Sequence, residues 1–154
     1  MNAPNGRDWV LVTESPLVPE TLSSWASRPD CGAVVTFSGT ARNSSTNGHL
    51  IEALEYDTSV ELAEHRISQV VALARSRWPV LGAVALHHRI GIVRLGEPAV
   101  TIVVSSPHRQ AAYEASQFCI DTVKRSVPMW KREIWEGGSA WSEDVQELLA
   151  VEEA

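Results

Sequence analysis

Lys124 and Lys131 stand seven positions apart, and they are the only two lysines in a chain whose other basic residues are eleven arginines. Arginine cannot replace lysine where a small amine must titrate or act as a nucleophile, because the guanidinium stays charged. The segment Lys124-Arg-Ser-Val-Pro-Met-Trp-Lys131-Arg-Glu places one lysine at the end of an expected helix, then a proline break, then the second lysine beside Trp130. An amine held against an apolar wall is poorly solvated in its charged form, which suits it to acid, base or nucleophilic work. The same residues also read as a cation at a helix C-terminus followed by an edge-strand lysine, and the segment alone does not choose between these.

A second group has the character of an anion site. Ser106-Pro107 reads as an N-cap followed by proline at the first helical position, with His108 and Arg109 in the first turn. Unpaired N–H groups and the positive end of the helix dipole suit a phosphate or carboxylate there. Arg109 adds a bidentate donor and His108 a titratable one. Arg42 closes the run Phe37-Ser-Gly39-Thr-Ala-Arg42, where Gly39 allows close approach of a ligand or a second backbone; taken alone, this is an arginine at a loop edge. His87-His88-Arg89 ends a strand, and alternation sends one histidine inward and the other outward. No third ligand follows at metal spacing, so no metal is expected. Cys119 falls in a helix stripe as a packed thiol.

The elements that must carry these residues follow from periodicity. Strands are expected at Asp8–Thr13, Gly32–Thr40, Leu50–Tyr56, Gly82–Ile90, Ala99–Ser105 and Trp130–Trp135. Ala99–Ser105 is the most apolar of them and belongs at the centre of a sheet. A short helix over Pro19–Arg28 buries Leu22, Trp25 and Ala26. Thr58 and Glu61 form a capping box opening a helix that runs to about Trp78 and stops at Pro79. A third helix runs from Ser106-Pro107 to about Ser126, with Ala112, Ala115, Cys119 and Val123 on its buried stripe. Asn43–Gly48, Arg94–Pro98 and Glu136–Ser139 read as loop or turns, and Ser142 onward as a short acidic helix.

Composition narrows the function. The 154 residues (44% hydrophobic, 21% charged) fit one globular domain, with a core over about 8–141 and a tail over 142–154. No stretch reaches the length of a membrane span, the start lacks a signal-peptide core, and two distant cysteines make no disulfide framework. A cytoplasmic location is the default. A net charge of −6 argues against a nucleic-acid binder, which needs a basic field. The charge is uneven: five Lys/Arg lie between His108 and Arg132, and seven acids with no Lys or Arg follow from Glu133. A basic patch on an acidic chain fits a small anionic ligand.

Four blocks together resemble the catalytic (large) subunit family of molybdopterin synthase: Val35-Thr-Phe37-Ser-Gly39-Thr-Ala-Arg42, His87-His88-Arg89-Ile-Gly91, Ser105-Ser-Pro-His108-Arg109, and Lys124 through Pro128-Met-Trp130-Lys131-Arg-Glu133. The resemblance covers about residues 8–141. It implies an α+β, hammerhead-like fold with a mixed, largely antiparallel sheet and three to four helices. It also implies a homodimer with a small ubiquitin-like sulfur-carrier subunit at each end, a heterotetramer overall. The carrier's C-terminal Gly-Gly bears a thiocarboxylate, and sulfur passes to cyclic pyranopterin monophosphate to make the molybdopterin dithiolene of the molybdenum cofactor. Lys124 and Lys131 match the family's essential lysines, Arg42, His108 and Arg109 its anion pocket, and Phe37 the pocket wall. No cofactor or metal is implied for the step. The family often has a further basic residue in its C-terminal tail, whereas this tail is acidic beyond Arg132, which leaves open a paralogue with altered partner choice.

One geometric expectation follows from the third helix. His108 and Lys124 are sixteen residues apart, about 24 Å along a straight helix, too far to surround one small substrate. A site shared between two subunits, His108 and Arg109 from one and the lysines from the other, resolves the gap. Two rival readings remain at this point: a phosphate-ester enzyme using the basic cluster without a protein partner, and a non-catalytic module that only docks the small subunit.

Overall fold

A computed structural model describes residues 2–45, 48–142 and 149–154. Eight strands form two four-stranded sheets. The first has the order β1 (Asp8–Thr13), β4 (Val84–Arg89), β6 (Pro98–Ser106), β2 (Ala33–Thr40). The β1–β4 pair is parallel, and the other two pairs are antiparallel. The second has the order β5 (Gly91–Arg94), β3 (Ile51–Asp57), β7 (Trp130–Trp135), β8 (Gly138–Trp141), antiparallel throughout. The architecture is α+β, with the expected largely antiparallel pairing divided over two sheets.

Alternation explains the packing of the first sheet. Val84 and Leu86 of β4 and Val100, Ile102 and Val104 of β6 join the main core with α2 (Val60–Arg77) and α3 (Arg109–Ser126). Ala83, Ala85 and Val103 point to the other face, where Leu22, Ala26 and half-buried Trp25 of α1 (Pro19–Ala26) cover them. β6 lies between β4 and β2, and both its faces are buried, which is why its sequence is a continuous apolar run. The expected α3 stripe of Ala112, Ala115, Cys119 and Val123 is buried in the main core. Small residues there let the helix approach the sheet closely, and burial pushes the Cys119 thiol up to about 12, an inert packed group.

A third cluster, Ala41, Ile51, Leu54, Val93 and Ala99, joins the two sheets, with Tyr56 and Trp135 packed against it. Between β4 and β5 the chain changes sheets, and Gly91 makes the corner at φ +82°, a conformation costly for any residue with a Cβ. Gly137, at φ +90°, closes the tight β7–β8 hairpin.

Several local expectations are corrected. β5 and β8 are strands the sequence does not announce, overlapping the expected turns only at Arg94 and at Gly138–Ser139; each is four residues long and gains its hydrogen bonds from β3 and β7. The helix α3 starts at Arg109 with His108 as N-cap, two residues later than Ser106-Pro107 predicted. Ser106 instead continues β6 opposite Ala33, and its hydroxyl donates to the His108 carbonyl. The capping box at Thr58 and Glu61 is not formed; Ser59 is the N-cap, and the Thr58 hydroxyl donates to the Pro128 carbonyl at 2.5 Å. The loop over Asn43–Gly48 includes 46 and 47, and the acidic helix from Ser142 falls largely on 143–148, both outside the described residues; 149–154 end in a short turn of 3₁₀ helix, Val151–Glu153. No described helix is long and apolar enough to cross a membrane.

Candidate active site

Each functional side chain takes its place from the end of an element. Lys124 lies in the last turn of α3, exposed, and Lys131 is the second residue of β7, half-buried. The two are joined by a short connector, Arg125 to Trp130, that leaves the helix through extended Val127 before Pro128. In the β3–β7 ladder Lys131 stands opposite Tyr56. The Tyr56 ring meets His88 at 5.2 Å between centroids and 72° between planes. His88 in turn feels the Lys124 charge. The two lysines thus converge on one corner, where the C-terminus of α3 meets the junction of the sheets, with His88 and Tyr56 between them.

The electrostatics of that corner follow from burial. His88 is 7% exposed, and its pKa is lowered to about 4, first by burial and further by the Lys124 ammonium, against a backbone hydrogen bond that favours the charged form. Its Nδ1 lies 2.8 Å from the Arg89 carbonyl oxygen. A carbonyl can only accept, so Nδ1 carries the proton and Nε2 keeps its lone pair. Burial also raises the Tyr56 phenol above its ordinary value, so it stays protonated. Both groups that link Lys124 to this corner are thus uncharged, and no ion pair among the described residues holds Lys124.

The apolar wall expected beside Lys131 is on the wrong side. Trp130 pairs with Asp57 and is 57% exposed, because successive side chains of a strand point to opposite faces. The residue that does share the Lys131 face is Glu133, two positions on and 8% exposed. His88, Tyr56 and Glu133 are the neighbours of the candidate lysines that sequence reasoning did not select. Period-two alternation from Lys131 points to Glu133; only the tertiary fold brings the other two. The His87-His88 pair is likewise corrected: neither ring faces solvent. His87 packs under α1 against Trp9 at 4.8 Å, and His88 lies on the opposite face. A strand covered on both faces has no outward side at that point.

Arg42 lies just past β2, exposed, after Ala41, whose N–H donates to Glu97 O at 3.1 Å and whose carbonyl accepts from Gly96 N–H at 2.9 Å. Phe37 is on β2 opposite Ile102, 36% exposed. The edge strand ends toward the same end of the sheet as Lys124: β2 is antiparallel to β6, and α3 runs back along β6 from its own start at the Ala33 end, where Gly32 N–H donates to Pro107 O. His108 and Arg109 lie at that opposite end, lining a shallow surface concavity with Gln110, Tyr113 and Glu114. The unbroken α3 separates them from Lys124 by about 24 Å. Within one chain the lysines come together and the His108–Arg109 pair does not join them. No group of three or more His, Cys, Asp or Glu side chains among the described residues can hold a metal ion.

Relatives share both sequence and fold with this arrangement. The family described as MoaE protein matches residues 12–126. A molybdopterin synthase catalytic subunit from Bacillus subtilis is 41% identical over 139 residues, 90% of this chain and 87% of that protein. The one from Thermoplasma volcanium is 45% identical over 131 residues, 85% of this chain and 94% of that protein. The crystal structure of molybdopterin synthase from Staphylococcus aureus superposes with a TM-score of 0.80 at 38% identity, over 87% of this chain and 96% of that one. With the family match spanning most of the chain, and such identity carried over nearly its whole length, the chain belongs to the MoaE family of molybdopterin synthase catalytic subunits.

Proposed function

We propose that this chain, a single cytoplasmic domain, is a sulfurtransferase: it moves sulfur from the thiocarboxylated C-terminus of a small ubiquitin-like subunit to cyclic pyranopterin monophosphate, giving the molybdopterin dithiolene. The observation that carries the reading is the convergence of Lys124 and Lys131 on one corner beside an uncharged imidazole. In each transfer the thiocarboxylate sulfur bonds to a pterin carbon, and water attacks the carrier's acyl carbon through a tetrahedral oxyanion. The acyl C–S bond then breaks, leaving sulfur on the pterin and a carboxylate on the carrier. An ammonium positioned at that corner stabilises the oxyanion charge as it develops. Lys124 is the principal acid/base or electrostatic group, and Lys131 assists it. Arg42, His108 and Arg109 hold the substrate phosphate, and Phe37 lines the pocket.

The site is shared between two copies in this reading. β2 has no strand on its outer side among the described residues, and Val34 and Phe37 on it are exposed. A second copy adding antiparallel to β2 about a two-fold axis sets the Ala33 end of one strand against the Thr40 end of the other. His108 and Arg109 of one copy then approach Arg42 and Phe37 of its neighbour. The small subunits bind outside this dimer, making a heterotetramer.

Reconstitution with a thiocarboxylated small subunit and the cyclic pterin tests the assignment. Formation of the dithiolene is expected; its absence rejects the synthase reading. Turnover of a phosphate ester without any protein partner would favour the phosphate-ester enzyme instead.

A further inference from the structure

A helix leaves its last four carbonyls without intrahelical partners. At the end of α3 the usual device for satisfying them is missing: Val127 is extended (φ −95°, ψ 119°), no left-handed glycine follows, and Pro128 has no N–H to give. Val127 N–H donates to Val123 O at 2.9 Å, and the Ser126 hydroxyl donates to Thr122 O at 2.6 Å. The two carbonyls just after Lys124 are met from far away in the sequence. Arg125 O accepts from Leu149 N–H at 2.8 Å, and Ser126 O accepts from Arg66 Nη1 of α2 at 3.1 Å.

Arg66 also ties the two contributors together, because the same Nη1 donates to Leu149 O at 3.1 Å. Two residues on, Val151 is 2% exposed within the main core. Further along the connector, Thr58 holds Pro128 O. The chain between the two lysines is therefore anchored at Arg125, Ser126 and Pro128, and two of those anchors involve the C-terminal segment or the arginine that clamps it.

We propose that Arg66 and residues 149–154 form the C-cap of the helix bearing Lys124, a strap that keeps this lysine in register with Lys131. Arg66 is a positioning residue and touches neither substrate nor carrier. The strap gives the acidic C-terminus a role that its charge pattern does not reveal: its backbone and one valine do the holding. The catalytic consequence rests on the sulfur-transfer reading above, whereas the capping itself is measurable without substrate.

The experiment compares the full chain with Arg66→Met, Arg66→Lys and a chain ending before Leu149, each assayed with the thiocarboxylated small subunit and each followed by hydrogen exchange alone. Faster exchange confined to about residues 122–135 is expected in Arg66→Met and in the shortened chain. Their kcat should fall between about tenfold and a hundredfold, the scale on which a displaced catalytic group loses rate, while KM for the pterin changes little. Arg66→Lys should recover part of the rate, since an ammonium can still reach one carbonyl. Unchanged exchange in that region overturns the strap, as does a uniform rise in exchange across the whole sheet with kcat following the melting temperature. If the shortened chain does not fold, Arg66→Met against Arg66→Lys decides alone. A parent chain inactive in the assay, with the exchange pattern still confined to 122–135, leaves the strap standing and removes the sulfur-transfer reading.

Discussion

Tyr56 and His88 meet nearly at right angles, 5.2 Å between ring centroids, and so tie β3 of the second sheet to β4 of the first. That contact helps keep His88 dry, and its neighbour His87 is equally buried beneath α1. Burial lowers both imidazoles from 6.5 to about 4. Between those values the unfolded chain binds more protons than the folded one, so stability rises with pH across the window. Native stability is thus expected to fall as pH drops from about 6.5 toward 4, by up to roughly 3 kcal/mol for each histidine. Urea unfolding of the parent and of His87→Gln at several pH values measures it. An equal slope in both chains would remove His87 from the account.

Lys124→Ala is expected to lower sulfur transfer by about a hundredfold or more, the usual range for losing a positioned acid or base. Binding of the small subunit should persist, because Lys124 is an exposed side chain whose truncation leaves no buried cavity. Single-turnover kinetics and a binding titration separate the two effects. Loss of binding with the rate per bound complex intact would make Lys124 a docking residue.

A shared site predicts complementation. Lys124→Ala and Arg109→Ala chains, each inactive as pure homodimers, should regain activity when unfolded and refolded together. Random pairing leaves half the dimers mixed, each with one intact site of two, so about a quarter of the parent activity is expected for a two-fold dimer. Activity no higher than that of the separate variants would place the whole site within one chain.

Gly82 tests the packing at the other end of the sheet. A Cβ there would stand 2.4 Å from Cys31 Sγ and 2.8 Å from Ser105 Oγ. Ser105 is not free to move far, since its Oγ accepts from Ala83 N–H at 2.8 Å and its carbonyl accepts from Gly82 N–H at 2.8 Å. Gly82→Ala should cost about 1–3 kcal/mol as an overpacking change. Adding Cys31→Ala should return part of it in a denaturation midpoint, and a purely additive double variant would deny the sulfur contact.

The parts of this molecule legible in its sequence are those set by local periodicity. The β6 run, the small-residue stripe of α3 and the stop of α2 before Pro79 all follow from which faces must be buried. Residue type alone singles out the lysine pair as candidates, the only two lysines in the chain. What the sequence hid was decided by distant partners. β5 and β8 exist because β3 and β7 offer them ladders, and Thr58 abandons its own helix for Pro128, seventy positions away. His88 looked like half of an alternating pair until both faces of β4 proved to be covered. Tyr56 carries no local signal at all; it enters the corner through the register of β3 against β7.

An uninterrupted α3 has one more consequence. It holds Lys124 and the His108–Arg109 pair at a fixed separation, so in the proposed shared-site arrangement each folded chain carries two complementary half-sites and can complete neither by bending. Output in the shared-site arrangement then depends on encounter between chains as well as on chemistry. Dilution below the association range silences such an enzyme while every chain remains folded, so specific activity becomes a readout of cellular abundance.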